Sequence, residues 1–91
     1  MAILVTAEVP GQTQAGYDAM IGGLAPLIRE APGFIAHMAH PVGDDRWRVL
    51  EIWDSKNASD VFFAKFVVPN LPPGVHPKRS YQELHSLVRG S

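Results

Sequence analysis

The segment from Ala31 to Ser55 constrains the fold more than any other part of this chain. Pro32-Gly33 ends what precedes it, and Phe34 to His40 is a short apolar, partly aromatic run. Pro41-Val42-Gly43-Asp44-Asp45 has the composition of a tight turn, and Arg46 to Trp53 is a second strand-like run. Two such runs across so short a turn predict a β-hairpin. His37, His40, Glu51, Trp47 and Trp53 fall among its strand positions, so chemistry is expected here.

The flanks supply the remaining elements. Ala2 to Val9 reads as a strand closed by Pro10-Gly11. From about Thr13 the apolar positions Tyr17, Met20, Ile21, Leu24, Leu27 and Ile28 follow helical spacing. Pro26 removes a backbone donor and crowds the preceding turn, which predicts a kink or break near Leu24 and a resumed turn from Pro26 to Glu30. Asp54 or Ser55 is placed to cap a second helix that carries Val61, Phe62, Phe66 and Val67 inward and stops at Pro69. A proline-rich loop, Asn70 to Pro77, then leads to a last strand from Ser80 to Val88.

Strand, helix, strand, strand, helix, strand is the α+β ferredoxin-like βαββαβ plan: a four-stranded antiparallel sheet with two helices on one face, here as a single domain over residues 1–91. On the third strand Leu50 and Ile52 are plainly apolar, whereas Trp47, Val49, Glu51 and Trp53 mix aromatics with a carboxylate. The even set is therefore assigned to the helices. The mixed set is expected to meet a second copy of the chain around a cavity.

Composition narrows the function classes. A formal charge of −1, with Lys78-Arg79 the one adjacent basic pair, gives no footprint for nucleic acid. The absence of cysteine removes thiolate chemistry, disulfides and cysteine-held metals. The apolar start Ala2-Ile3-Leu4-Val5 is too short for a secretory core and no stretch approaches membrane-spanning length, so a cytoplasmic protein with no membrane partner is expected. His37 and His40 should lie on opposite strand faces and cannot share an ion, so no metal is expected.

Ala31-Pro32-Gly33-Phe34, Glu51-Ile52-Trp53-Asp54-Ser55, Ala58, Phe62, the Pro69 stop and Glu83-Leu84-His85, taken in order, resemble the antibiotic biosynthesis monooxygenase family of dimeric α/β-barrel proteins along nearly the whole chain. The resemblance implies a homodimer enclosing small-molecule pockets. It also implies, for some members, oxidation of phenolic polycyclic substrates by dioxygen with no cofactor, and for others haem degradation. The haem-degrading pattern is not matched: its strand-one asparagine falls at Leu4, its helix-two tryptophan at Phe62, and its proximal histidine has no counterpart. Many small members carry a helix-two histidine where this chain again has Phe62.

Cofactor-free oxygenation needs a base, an electron-rich anion and a closed apolar pocket. Histidine suits the base, and His85 and His37 are the candidates, with Glu51 as a carboxylate that must be paired or neutral if buried. Trp53, Thr6 and Phe62 are the candidate contacts for a small aromatic substrate, Trp53 as a flat wall and Phe62 more simply as a helix-to-sheet contact. His40 and His76 are expected in solvent. Three classes follow: a cofactor-independent monooxygenase acting on an aromatic or quinol-like molecule, a non-oxidative isomerase or lyase using the same base, and a binding or structural dimer. Oxygen dependence separates the first two, and a cavity filled by side chains would favour the third.

Overall fold

The computed structural model describes residues 2–90. Six elements follow in the expected order: β1 (Ile3–Pro10), α1 (Gln14–Arg29), β2 (Phe34–Pro41), β3 (Arg46–Trp53), α2 (Lys56–Phe62) and β4 (Lys78–Glu83). The sheet order is β2-β3-β1-β4 and every pairing is antiparallel. This is the ferredoxin-like arrangement, with β3 and β1 central.

Local chemistry sets the element ends. The Thr13 hydroxyl accepts the Gly16 amide at 3.0 Å and opens α1, and the Ser55 hydroxyl accepts the Ala58 amide at 3.1 Å and opens α2. Gly33 turns the chain from α1 into β2 at φ +85°, and its carbonyl accepts the Asp54 amide at 2.8 Å. A Cβ there would collide with the Asp54 carboxyl and lie 2.9 Å from Ala58 Cβ, so only glycine fits.

Helix α1 does not break at Pro26: it is continuous from Gln14 to Arg29. Gly22 and Gly23, in the turn that the proline ring crowds, leave the backbone room to adjust. After Phe62 the helix widens into a π turn over Phe63–Val67 and tightens into a 3-10 turn over Val68–Asn70, where Pro69 ends it. Val61 points outward at 56% exposure rather than inward, while Phe62 is buried and Phe66 and Val67 pack against the core. Strand β4 is shorter than expected. Glu83 already lies opposite Ile3 and the Leu84 amide bonds the Ala2 carbonyl at 2.9 Å, so β1 offers no partner to the residues beyond.

The largest correction concerns sidedness. Val5 lies opposite Glu51 and Ala7 opposite Val49, and Val5, Ala7 and Val9 are buried beneath the helices. Both α1 and α2 therefore cover the odd, mixed face, and Val5, Leu24, Ile28, Trp53 and Phe62 form one core. Leu50 and Ile52, with Leu4, Thr6 and Met38, occupy the open face. Strand β3 by itself does not define which face is inward. Both of its faces are apolar, whereas β1 carries the plainer signal, with Val5, Ala7 and Val9 alternating with Thr6 and Glu8.

Candidate active site

Three elements bring polar groups together beneath the helices. Register places His37 of β2 directly opposite Glu51 of β3, and α1 presents Tyr17 from its first turns above them. His37 Nδ1 lies 2.7 Å from Glu51 Oε2, and the Tyr17 hydroxyl lies 2.7 Å from His37 Nε2. The Trp53 indole N–H donates to Glu51 Oε1 at 2.9 Å. An ionised Glu51 accepts from both neighbours, which assigns the imidazole proton to Nδ1 and leaves the Nε2 lone pair to accept from Tyr17. The result is a chain, Tyr17 to His37 to Glu51, anchored by Trp53.

Packing holds this chain in place. Tyr17 stacks on Trp47 at 4.8 Å between ring centroids, and its ring lies nearly parallel to the His37 imidazole. Burial raises the Tyr17 pKa, and the nearby charges of Glu51 and Asp18 raise it further, so the phenol stays a neutral donor. The side chains of His37 and Glu51 are only 13% and 17% exposed, so most solvent is excluded from the pair.

Beside the chain is a cavity of about 70 Å³ between the helices and the sheet. Its apolar walls include Val5, Ala7, Leu24, Val49, Phe62 and Phe63. The π turn places both Phe63 and Val67 on the cavity, a distortion of the kind that recurs at functional sites. The polar groups on the wall are Gln12, Tyr17, His37, Glu51, Ser59 and Arg79. Arg79 enters from β4 with its side chain 12% exposed. Its guanidinium donates to the Ser59 hydroxyl at 2.6 Å, lies over the Phe63 ring at 4.0 Å, and reaches Asp60 at 3.4 Å. Asp60 is shared: Lys56 and the Tyr81 hydroxyl bond it at 2.7 and 2.6 Å, and these two bonds hold its pKa below the usual carboxylate value. Lys56 and Asp60 lie outside the cavity lining, so among the described residues Arg79 is the cation on its wall.

The expected site residues divide sharply. His37 and Glu51 come together on the cavity, and Phe62 lines it. Trp53 is fully buried and orients Glu51 instead of forming a wall. Thr6 lies on the open face of the sheet. His85 lies beyond the end of β4, exposed and away from the cavity lining. His40 and His76 are exposed, as expected. Tyr17, Gln12 and Arg79 were not anticipated. Tyr17 shares the inward stripe of α1 with Met20, Ile21 and Leu24, which was the available signal. Arg79 carries an adjacent basic partner, and its inward direction follows only from the pairing of Arg79 with Ala7.

No protein-family model matches the chain, and no curated protein matches it in sequence. Solved structures do match in fold. SnoaB, a cofactor-independent oxygenase from Streptomyces nogalater, superposes with a TM-score of 0.68 at 12% identity over 98% of both chains. The ActVA-Orf6 monooxygenase of Streptomyces coelicolor, solved with nanaomycin D, gives 0.63 at 19% identity over 99% of this chain and 93% of its own. A haem-degrading protein from Mycobacterium tuberculosis gives 0.66 at 18% identity over 98% of both chains. The chain therefore has the fold of the antibiotic biosynthesis monooxygenase proteins, as the residue pattern predicted.

Proposed function

We propose that the protein binds an aromatic or quinol-like small molecule with its reacting edge in the partly open, helix-covered cavity and oxidises it with dioxygen, without a cofactor, using His37 as the base. One observation carries this reading: an imidazole held at Nδ1 by Glu51 and at Nε2 by the Tyr17 hydroxyl lies on the wall of a mostly apolar cavity. The structural likeness to a cofactor-independent oxygenase and to a second monooxygenase agrees with it.

The steps follow from the groups present. The substrate hydroxyl or activated C–H replaces Tyr17 at His37 Nε2 and loses its proton there, while Glu51 stabilises the imidazolium that forms. Tyr17, still neutral, donates to the developing oxyanion. The electron-rich anion reduces dioxygen by one electron, the two radicals combine at carbon, and His37 returns a proton as the peroxide loses water. For an anthrone the balance is one CH2 and one O2 giving one C=O and one H2O. Arg79 supplies positive charge where the anion and reduced oxygen arise, and the apolar walls limit competing water chemistry.

The test is oxygen uptake with anthrone as the probe. The expected result is one O2 consumed per anthraquinone formed, with kcat/KM falling on the order of 10²–10⁴-fold in His37→Phe. Turnover that persists under nitrogen would point to proton transfer alone, as in an isomerase or lyase. Unchanged turnover in the variant would remove His37 as the base.

The same reading takes the protein as a homodimer formed through the open face of the sheet. Leu4, Leu50, Ile52 and the 45%-exposed Met38 lie there beside a Glu8–Arg48 ion pair of 2.6 Å, and Glu8 Oε2 is buried without a partner. A second sheet would cover this apolar surface. We place the protein in the cytoplasm, with which its cysteine-free sequence is compatible.

A further inference from the structure

The hydrogen-bonded phenol is also placed for one-electron chemistry. In the substrate-free site the Tyr17 hydroxyl lies 2.7 Å from His37 Nε2, and His37 Nδ1 lies 2.7 Å from Glu51 Oε2. Burial and the charges of Glu51 and Asp18 keep Tyr17 protonated, so it has no phenolate to oxidise. A phenol that loses an electron becomes a strong acid and gives up its proton as well. Where that proton goes decides how readily the electron leaves, and here an imidazole nitrogen stands within hydrogen-bond reach. The Glu51 carboxylate offsets the positive charge that results on the ring.

The electron has a route as well. Tyr17 stacks on Trp47 with 4.8 Å between ring centroids and 13° between planes. Tyr17 lines the cavity, whereas Trp47 lies outside its lining and is only half-buried. The pair thus extends π overlap from the cavity wall toward solvent. Trp53, the other tryptophan, is fully buried and meets Phe34 and Phe62, which offer no such route.

Tyr81 is the opposite case in the same chain. Its hydroxyl donates to Asp60 at 2.6 Å, and the Lys56 ammonium lies 4.5 Å from its ring centroid. Bonds from Lys56 and Tyr81 hold the Asp60 pKa below the usual carboxylate value, so Asp60 is a poor place for a proton, and the cation over the ring opposes loss of an electron from it. Tyr17 has a base and an electron partner; Tyr81 faces a weak base and a cation.

We propose that Tyr17 is a redox site that quenches peroxyl-type radicals: the Tyr17–Trp47 pair gives one electron to the radical, and the Tyr17 proton crosses to His37 Nε2. The radical, ROO•, gains the electron and takes a proton from water to become ROOH, which leaves a neutral tyrosyl radical and an imidazolium. A one-electron reductant of the ascorbate class then returns an electron through Trp47, and the proton goes back from His37 to the phenol oxygen. The sum is one ROO•, one electron and one proton giving one ROOH. This rests on the reading above only for the source of such radicals, the reduction of dioxygen in the cavity, and the redox site itself is tested with an external oxidant.

The experiment is flash oxidation of the substrate-free protein by photogenerated ruthenium(III) tris(bipyridine), with the radical read by EPR. The expected result is a tyrosyl signal that is lost in Tyr17→Phe and kept in Tyr81→Phe. His37→Gln keeps a hydrogen-bond acceptor for the phenol but not a base, and should lose the signal too. Trp47→Phe keeps an aromatic stack but removes the electron partner, so ascorbate should clear the Tyr17 signal more slowly. In the unmodified protein, where folding is not in question, radical formation should be slower in heavy water. No tyrosyl signal in the unmodified protein, equal losses in Tyr17→Phe and Tyr81→Phe, an undiminished signal in His37→Gln, unchanged clearance in Trp47→Phe, or an equal rate in heavy water would each overturn the proposal. A Tyr17 signal in a protein that consumes no oxygen with anthrone would instead keep the redox site and discard the oxygenase reading.

Discussion

At the residue scale, Glu51 fixes the chemistry of its neighbours because it accepts from two donors at once, His37 and the Trp53 indole. Glutamine has one acceptor oxygen, so Glu51→Gln must turn an N–H toward one of them. The expected outcome is a fall of at least ten-fold in kcat with little change in KM, read by steady-state kinetics, because the His37 tautomer is lost while the cavity walls remain. Tyr17 gives a second prediction. Its pKa is raised in the folded protein, so the stabilisation this represents is intact below about pH 10 and is lost as pH climbs through the folded value. Tyr81 is shifted the same way, chiefly by burial and by its bond to Asp60. Alkaline unfolding curves should therefore be shallower, not flat, in Tyr17→Phe. His37 and Glu51 were legible in the sequence because alternation put them on one face; His85 was misplaced because its strand ends where β1 runs out of partners.

At the element scale, the hairpin was legible to the residue at β3 and within one residue at the end of β2, since turn composition and strand composition agree there. Sheet sidedness was not, because an apolar open face makes both faces of β3 look internal. The π turn was not legible either: Phe62, Phe63 and Phe66 suit an ordinary helix, and the contact of Phe63 with Arg79, from the far end of the chain, leaves no mark in their spacing. The tight passage from α1 into β2 carries the sharpest prediction. Gly33→Ala combines positive φ with a collision against Asp54 and Ala58, and should cost about 2–3 kcal/mol in chemical denaturation. Ser55→Ala removes one capping bond and should cost about 1 kcal/mol.

At the scale of the whole molecule, the two faces of one sheet divide the work. The odd face, beneath the helices, holds the core together with the Tyr17–His37–Glu51 chain, and in the homodimer proposed above the even face forms the interface with a second copy. Met38→Asp would place a charge in the centre of that interface, and sedimentation should show a dimer become a monomer with the helix-side cavity intact. The arrangement on the helix side is tested most directly by the ¹⁵N shifts of the histidine rings, recorded with and without anthrone under nitrogen. The expected spectrum has His37 protonated at Nδ1 with an acceptor-type Nε2, and ligand addition moves His37 while leaving His40, His76 and His85 in place. A proton on Nε2 of His37, or a ligand response at His85 instead, would contradict it.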